Sequence, residues 1–251
     1  MQDKRLPVVV IHGIGYGTNQ DRAGFSKELS ADVYEAARPV TRVGAFEEVK
    51  TPSGEAPGNG IWWGEALWET VNDHVDKVTE ELLKAAIPGP PADWFAKVLD
   101  LLGDVPLYLG PHGNAIRSLV KGVIGQFPGC IVVGHSLGSV IAADILREAQ
   151  IADNFSSLPV SGLITLGSPL NLLGLRSPMA PAQPFPFRWY NLWYPTDLVT
   201  LGKALSPAMF PGVTNRKLSA GESFVVAHTS YWSSVVVANV VYQLSVKGGT
   251  P

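Results

Sequence analysis

Apolar and polar positions along the chain follow two recurring patterns. Short runs of β-branched residues alternate with longer stretches in which apolar residues return every three or four places. The runs predict strands buried on both faces, and the stretches predict helices with one face in a core. LPVVVIHGIG predicts a strand ending in a glycine-rich turn, and Phe25, Leu29, Val33 and Ala37 then mark a helix face. A second buried strand ends at Gly134, and Leu137, Val140, Ile141 and Ile145 take up helical spacing directly after it. Further strands are expected at GLITLGSP, FRWYNLWY and GVTNRKL, with a short one at TRVGAFEEV. From Glu65 onward, Leu67, Val71, Val75, Val78 and Leu82 predict a long amphipathic helix that PGPP ends. Shorter helices are expected over Asp93 to Leu102 and Ile116 to Phe127, and a last one over Ser230 to Val246.

Strands alternating with helices imply an α/β fold, a mostly parallel sheet with helices on both faces. The 251 residues suit a single domain, 1–251, with a helical insertion over 61–128. Residues 168–187 hold five prolines, and LNLLGLRSPMAPAQPFPF within them is expected to form neither regular element. Apolar residues make up 46% of the chain and charged ones 16%, which leaves ample material for a core. A net charge of -3 offers no basic field for nucleic acid or an anionic membrane, so partners are expected to be small and uncharged. No window has the apolar length of a membrane span. The N-terminal apolar run is too short for a signal peptide, and the expectation is a cytoplasmic protein. The single cysteine, Cys130, opens a buried strand and is expected to be a small core residue.

Candidate chemistry centres on GHSLG, residues 134–138. Between a strand and a helix, Gly-x-Ser-x-Gly is a nucleophile elbow, and its turn forces Ser136 into a strained conformation that the two glycines make room for. A serine hydroxyl needs a base, and the base needs an acid to fix its tautomer. On such elbows the partners follow in the chain order serine, acid, histidine. Of the five histidines only His228, in VVAHTSYW, lies downstream of Ser136, and a loop position is expected for it. Five acids lie between the two residues. Asp144 and Glu148 sit at least two turns along the elbow helix, and Asp153 lies near that helix's end. Asp197, just after an aromatic strand, is the expected acid, with Glu222 as a weaker alternative.

The oxyanion of an acyl-transfer step is best held by fixed backbone N–H groups. Leu137, at the start of the elbow helix, is expected to supply one, and Ile14 in the HGIG turn the other. GIGYG lacks the lysine and spacing of a phosphate-binding loop. His12 and His135 flank these turns and are expected to pack or bond to backbone, while His74 and His112 have no second ligand at metal spacing. No metal or cofactor is expected.

With VVVIHGIG, VVGHSLG, LITLGSP, DLV and AHTSYW in this order, the chain resembles the α/β-hydrolase superfamily, particularly its small bacterial lipases and esterases. The resemblance spans most of the chain and implies Ser136, Asp197 and His228 as a catalytic triad, with Ile14 and Leu137 as oxyanion donors. It implies a serine esterase or lipase-like hydrolase acting on a small uncharged or apolar ester. An acyltransferase or thioesterase would use the same triad, and a non-catalytic ligand-binding module could occupy the same fold. The stretch from about Trp62 to Phe127 is longer and more helical than in the small lipases. The apolar, proline-rich segment 168–187 falls where such hydrolases often carry a cap. It is expected to form one wall of an acyl pocket through Met179 and Phe185, with Trp62 and Trp63 opposite.

Overall fold

The computed structural model describes residues 5–13, 25–36, 61–68, 108–110, 112–174, 183–219 and 224–247. In chain order these form β1 (Val8–Ile11), α1 (Lys27–Ala36), β2 (Trp63–Ala66), α2 (Gly113–Gly125), β3 (Cys130–His135) and α3 (Leu137–Asp153). They continue as β4 (Val160–Leu166), α4 (Leu170–Leu173), β5 (Arg188–Trp193), β6 (Val213–Lys217), α5 (Phe224–Thr229) and α6 (Val235–Lys247). The strands make one sheet in the order β2-β1-β3-β4-β5-β6, and every pairing is parallel.

Side chains of a strand alternate between faces, so each β-branched run feeds two cores at once. Val9, Ile11, Val132 and Leu163 point to one face, where Ile116, Val120 and Ile124 of α2 and Val140, Ile141 and Ile145 of α3 cover them. Val8, Val10, Ile131, Val133 and Ile164 point to the other, against Leu29 and Val33 of α1 and Val237, Val241 and Leu244 of α6. β3 lies inside the sheet, between β1 and β4, and all six of its residues are buried. Cys130, its first residue, is a free and buried thiol that burial pushes up to about 12. No helix among the described residues is long and apolar enough to cross a membrane.

Several elements differ from the hydrophobic pattern. The helix expected from Glu65 begins instead as β2, which extends the sheet beside β1 with Val10 opposite Glu65. A glutamate is tolerated in this buried strand because Ser26 satisfies it, donating its N–H at 2.8 Å and its hydroxyl at 2.6 Å to Oε1. Trp63 Nε1 donates to the same serine oxygen at 3.0 Å. The helix expected over Ile116 to Phe127 is α2, which starts and ends earlier. His228 lies on the short helix α5 rather than in a loop. The strand expected at TRVGAFEEV, the helix expected over Asp93 to Leu102 and most of the insertion over 61–128 fall outside the described residues.

The turn between β3 and α3 is held by backbone proximity. A methyl at Gly138 would lie 2.3 Å from the carbonyl oxygen of His12 and 2.4 Å from that of Ile11, and one at Gly134 would lie 2.6 Å from Ser139 Cα. Neither neighbour can rotate aside. Gly138→Ala is therefore expected to destabilise the fold by roughly 1–3 kcal/mol or more, the usual range for overpacking. Urea unfolding followed by circular dichroism measures it, and an unchanged midpoint would show that α3 can slide away from β1.

Candidate functional site

The chain runs from β1 outward to β2 and then returns to the far side of β1 as β3, so the strand order reverses between β1 and β3. Clefts of open α/β sheets form at such a point, beyond the carboxyl ends of the strands. Gly13 follows β1 there and Ser136 follows β3. The two touch so closely that a Cβ on Gly13 would sit 2.4 Å from Ser136 Cβ and 3.1 Å from Ser136 Oγ. Only glycine lets the β1 turn lie against the serine.

Ser136 has φ 52° and ψ −129°, a region costly for any residue with a side chain. Its backbone is pinned on both sides. Its N–H donates to Leu166 O at 2.9 Å, and its carbonyl accepts from Ser139 N at 3.0 Å and Ser139 Oγ at 2.5 Å. Ser139 Oγ also bonds Ser168 Oγ at 2.6 Å, which ties the turn to the end of β4. Leu137 is the first residue of α3, at the positive end of the helix dipole.

Beyond the ends of β5 and β6 stand Asp197 and His228, both buried. His228 Nδ1 lies 3.1 and 3.0 Å from the two oxygens of Asp197, and His228 Nε2 lies 3.0 Å from Ser136 Oγ. A carboxylate only accepts, so Nδ1 carries the hydrogen and Nε2 is left to accept from the serine hydroxyl. Burial alone would raise the Asp197 carboxyl. Hydrogen bonds from His228, Tyr231 and the Val199 N–H, together with the imidazole's charge, outweigh it and hold the group below its ordinary value.

Three contributors escaped the sequence analysis. Tyr231 donates its hydroxyl to Asp197 Oδ2 at 2.8 Å and accepts Tyr194 N–H at 3.1 Å, so it orients the carboxylate. Burial and the neighbouring Asp197 keep that phenol protonated by raising it well above its usual value. Gly167, with φ +55°, leaves room where a Cβ would meet Tyr231 Cε2 at 2.7 Å and Asp197 Oδ2 at 2.9 Å. Trp68 donates Nε1 to His12 O at 2.9 Å and stacks on the His12 ring at 5.1 Å, which fixes the β1 turn. The only signal for Tyr231 was its place three residues after His228, and nothing local marked the others.

The aromatic side chains expected to wall an acyl pocket are not brought to Ser136. Trp63 pairs with Val8 at the beginning of β2, level with Ile131 of β3, whereas Ser136 lies five residues further along, beyond the opposite ends of these strands and roughly 16 Å away at about 3.3 Å per residue. Trp63 is buried on the α1 and α6 face, and Trp62 packs on the face of α2 and α3. Phe185 stacks with Phe187 at 5.2 Å and meets Phe155 at 6.0 Å. Phe155 follows the far end of the 17-residue α3, roughly 25 Å from Ser136 at about 1.5 Å per residue. The segment returns there because β5 must start at that edge to run parallel to β4. Arg147 Nη1 and Gln150 Nε2 bind it, donating to Gln183 O at 3.1 Å and Pro184 O at 2.9 Å. Of 168–187, residues 168–174 and 183–187 are described, and the segment expected to be irregular opens with the helical turn α4, which Pro169 precedes and whose Leu170 is buried. Ile14, Met179, Glu222 and His74 lie outside the described residues.

The other acids and histidines have local roles. Asp144 is buried on α3 and accepts the Tyr108 hydroxyl at 2.5 Å, Glu148 pairs with Arg117 at 2.9 Å, and Asp153 accepts Ser157 N–H at 3.0 Å. His112 is exposed before α2. His135, buried, directs Nε2 to His228 O at 2.7 Å. Burial first, and then the nearby His228, hold the His135 imidazole down to about 3. An unfolded histidine takes up a proton near pH 6.5 while the native ring stays neutral, so the sign is a loss of stability as pH falls. The free energy of unfolding is expected to drop between about pH 6.5 and pH 3, by at most about 1.4 kcal/mol per pH unit from this group. Urea titrations across that range measure the slope, and His135→Gln should flatten it.

No family model matches the chain, and no curated protein does. Among solved structures, one from Lactobacillus plantarum WCFS1, described as a proposed cell surface hydrolase, is similar at a TM-score of 0.38 and 16% identity. The similarity covers 88% of this chain and 84% of that one.

Proposed function

We propose that the protein is a serine hydrolase that cleaves carboxylic esters through an acyl-enzyme. The observation that carries this is the continuous chain from Asp197 through His228 to Ser136 Oγ, with contacts of 3.0 to 3.1 Å. It ends on a strained serine at the switch point of a parallel sheet. As Ser136 Oγ bonds to the ester carbonyl carbon, its proton passes to His228 Nε2, and the carbonyl oxygen takes up the negative charge. The N–H groups of Leu137 and Ile14 hold that charge. The intermediate then expels the alcohol, which leaves with the proton from His228. Water repeats the sequence on the acyl-enzyme, giving up its proton to His228 and freeing the acid and the serine hydroxyl. Throughout, the carboxylate of Asp197 stabilises the imidazolium.

A panel of p-nitrophenyl esters of increasing acyl length, with a thioester included, tests this together with a fluorophosphonate probe. Turnover above background and labelling at Ser136 are expected. Labelling at another residue, or no turnover on any member, would overturn the assignment. Faster turnover of the thioester would shift it to a thioesterase, and release that rises with added alcohol would shift it to an acyltransferase.

A further inference from the structure

We propose that His135, the residue before the nucleophile, is a positioning residue that locks the main chain of His228 in register with Ser136. The inference rests on the hydrolase reading above. Neighbouring residues grip the side chain and the backbone of one histidine: Ser136 Oγ meets His228 Nε2 at 3.0 Å, and His135 Nε2 meets His228 O at 2.7 Å. The two histidine rings lie 4.7 Å apart.

The two partners differ greatly in how firmly the fold holds them. His135 ends β3, a fully buried strand paired on both sides, whereas His228 sits in the last turn of a six-residue helix. Carbonyls in the last turn of a helix have no partner within it, so His228 O must find a donor elsewhere. His135 supplies that donor from the end of a buried strand, where it pairs with Leu166 of β4.

The tautomer follows from the partner. A carbonyl only accepts, so His135 Nε2 carries the hydrogen and Nδ1 is bare. Among the described residues, buried Nδ1 has no hydrogen-bond partner, while Tyr231 and Trp232 close around the ring at 5.6 and 5.0 Å. An apolar side chain of similar bulk would avoid the unsatisfied nitrogen. What histidine adds here is the bond to His228 O. Burial also keeps the ring neutral, so no second cation opposes the imidazolium that forms on His228 during turnover.

The test compares His135→Leu, which removes the donor, with His135→Gln, whose amide nitrogen reaches about as far as Nε2. His135→Phe keeps an aromatic ring in the site and replaces His135→Leu if that variant does not fold. On p-nitrophenyl acetate, well below each variant's unfolding temperature, the donor-less variant should lose roughly 10- to 100-fold in kcat with KM unchanged, as small misplacements of reacting groups do. His135→Gln should recover most of that loss. The downfield proton resonance of His228 Nδ1–H should shift or broaden in the donor-less variant and return in His135→Gln. Equal kcat in all variants, with only the unfolding temperature lowered, would make His135 a packing residue and overturn the proposal. So would an unmoved resonance. If wild-type Ser136 resists the fluorophosphonate, the hydrolase reading fails, and the resonance alone decides whether His135 holds His228.

Discussion

Replacing Ser136 by alanine is expected to lower kcat for ester hydrolysis by roughly 10⁴- to 10⁶-fold, the range for deleting the nucleophile of such a triad. His228 Nε2 faces Ser136 Oγ at 3.0 Å, so the substitution removes the atom the base acts on. Residual turnover would come from the backbone N–H groups and from binding. The fold should survive, because the turn is held by main-chain contacts at Gly134, Gly138 and Gly13 and by the bond from Ser136 N to Leu166 O. Alanine meets the same positive φ as serine, so the backbone strain is unchanged. Kinetics beside thermal unfolding by circular dichroism separate the two effects. Activity near wild type in the folded variant would remove Ser136 from the chemistry.

The next largest effect is expected at Asp197. Asp197→Asn should reduce kcat by roughly 10²- to 10⁴-fold near neutral pH, since the amide neither steadies an imidazolium nor enforces the Nδ1–H tautomer. The site amplifies the change. Both carboxylate oxygens accept from donors, Oδ1 from Val199 N–H at 3.0 Å and Oδ2 from the Tyr231 hydroxyl at 2.8 Å, with His228 Nδ1 near both. An asparagine must turn its NH₂ toward one of these donors, so at least one buried bond is lost, at a cost of about 1–3 kcal/mol. The pH dependence has a definite sign. The native carboxyl titrates lower than the unfolded one, so its contribution to stability is complete above about pH 4, the ordinary value for aspartate, and is lost as pH falls through the depressed native value. Asp197→Asn should lack that acid limb. Activity assays and urea titrations of this variant beside Glu222→Gln check both statements. An active Asp197→Asn with an inactive Glu222→Gln would transfer the acid's role to Glu222.

What the sequence determined by itself was whatever depends on neighbours along the chain. The run ending at Gly134 and the helical spacing from Leu137 are local signals, and β3, the turn at Ser136 and α3 follow them. The strands at Val160–Leu166 and Arg188–Trp193 were legible from their apolar and aromatic runs, since a strand inside a covered sheet has to be largely apolar, whereas Val213–Lys217 is a polar edge strand without such a run. Tertiary structure decided where local signals were short or ambiguous. Trp63–Ala66 carries Glu65, from which the spacing reads as a helix, yet Ser26, brought in from 39 positions earlier in the chain, satisfies that charge and lets the segment extend the sheet. Only the direction of the parallel strands reveals that Phe185 and Trp63 stand at the opposite edge from Ser136, because spacing along the chain says nothing of which end of a strand a residue occupies. The bonds from Tyr231 to Asp197, from His135 to His228 and from Trp68 to His12 join residues 34, 93 and 56 positions apart. Such partners come within reach only when the sheet has assembled, so no periodicity of the chain encodes them.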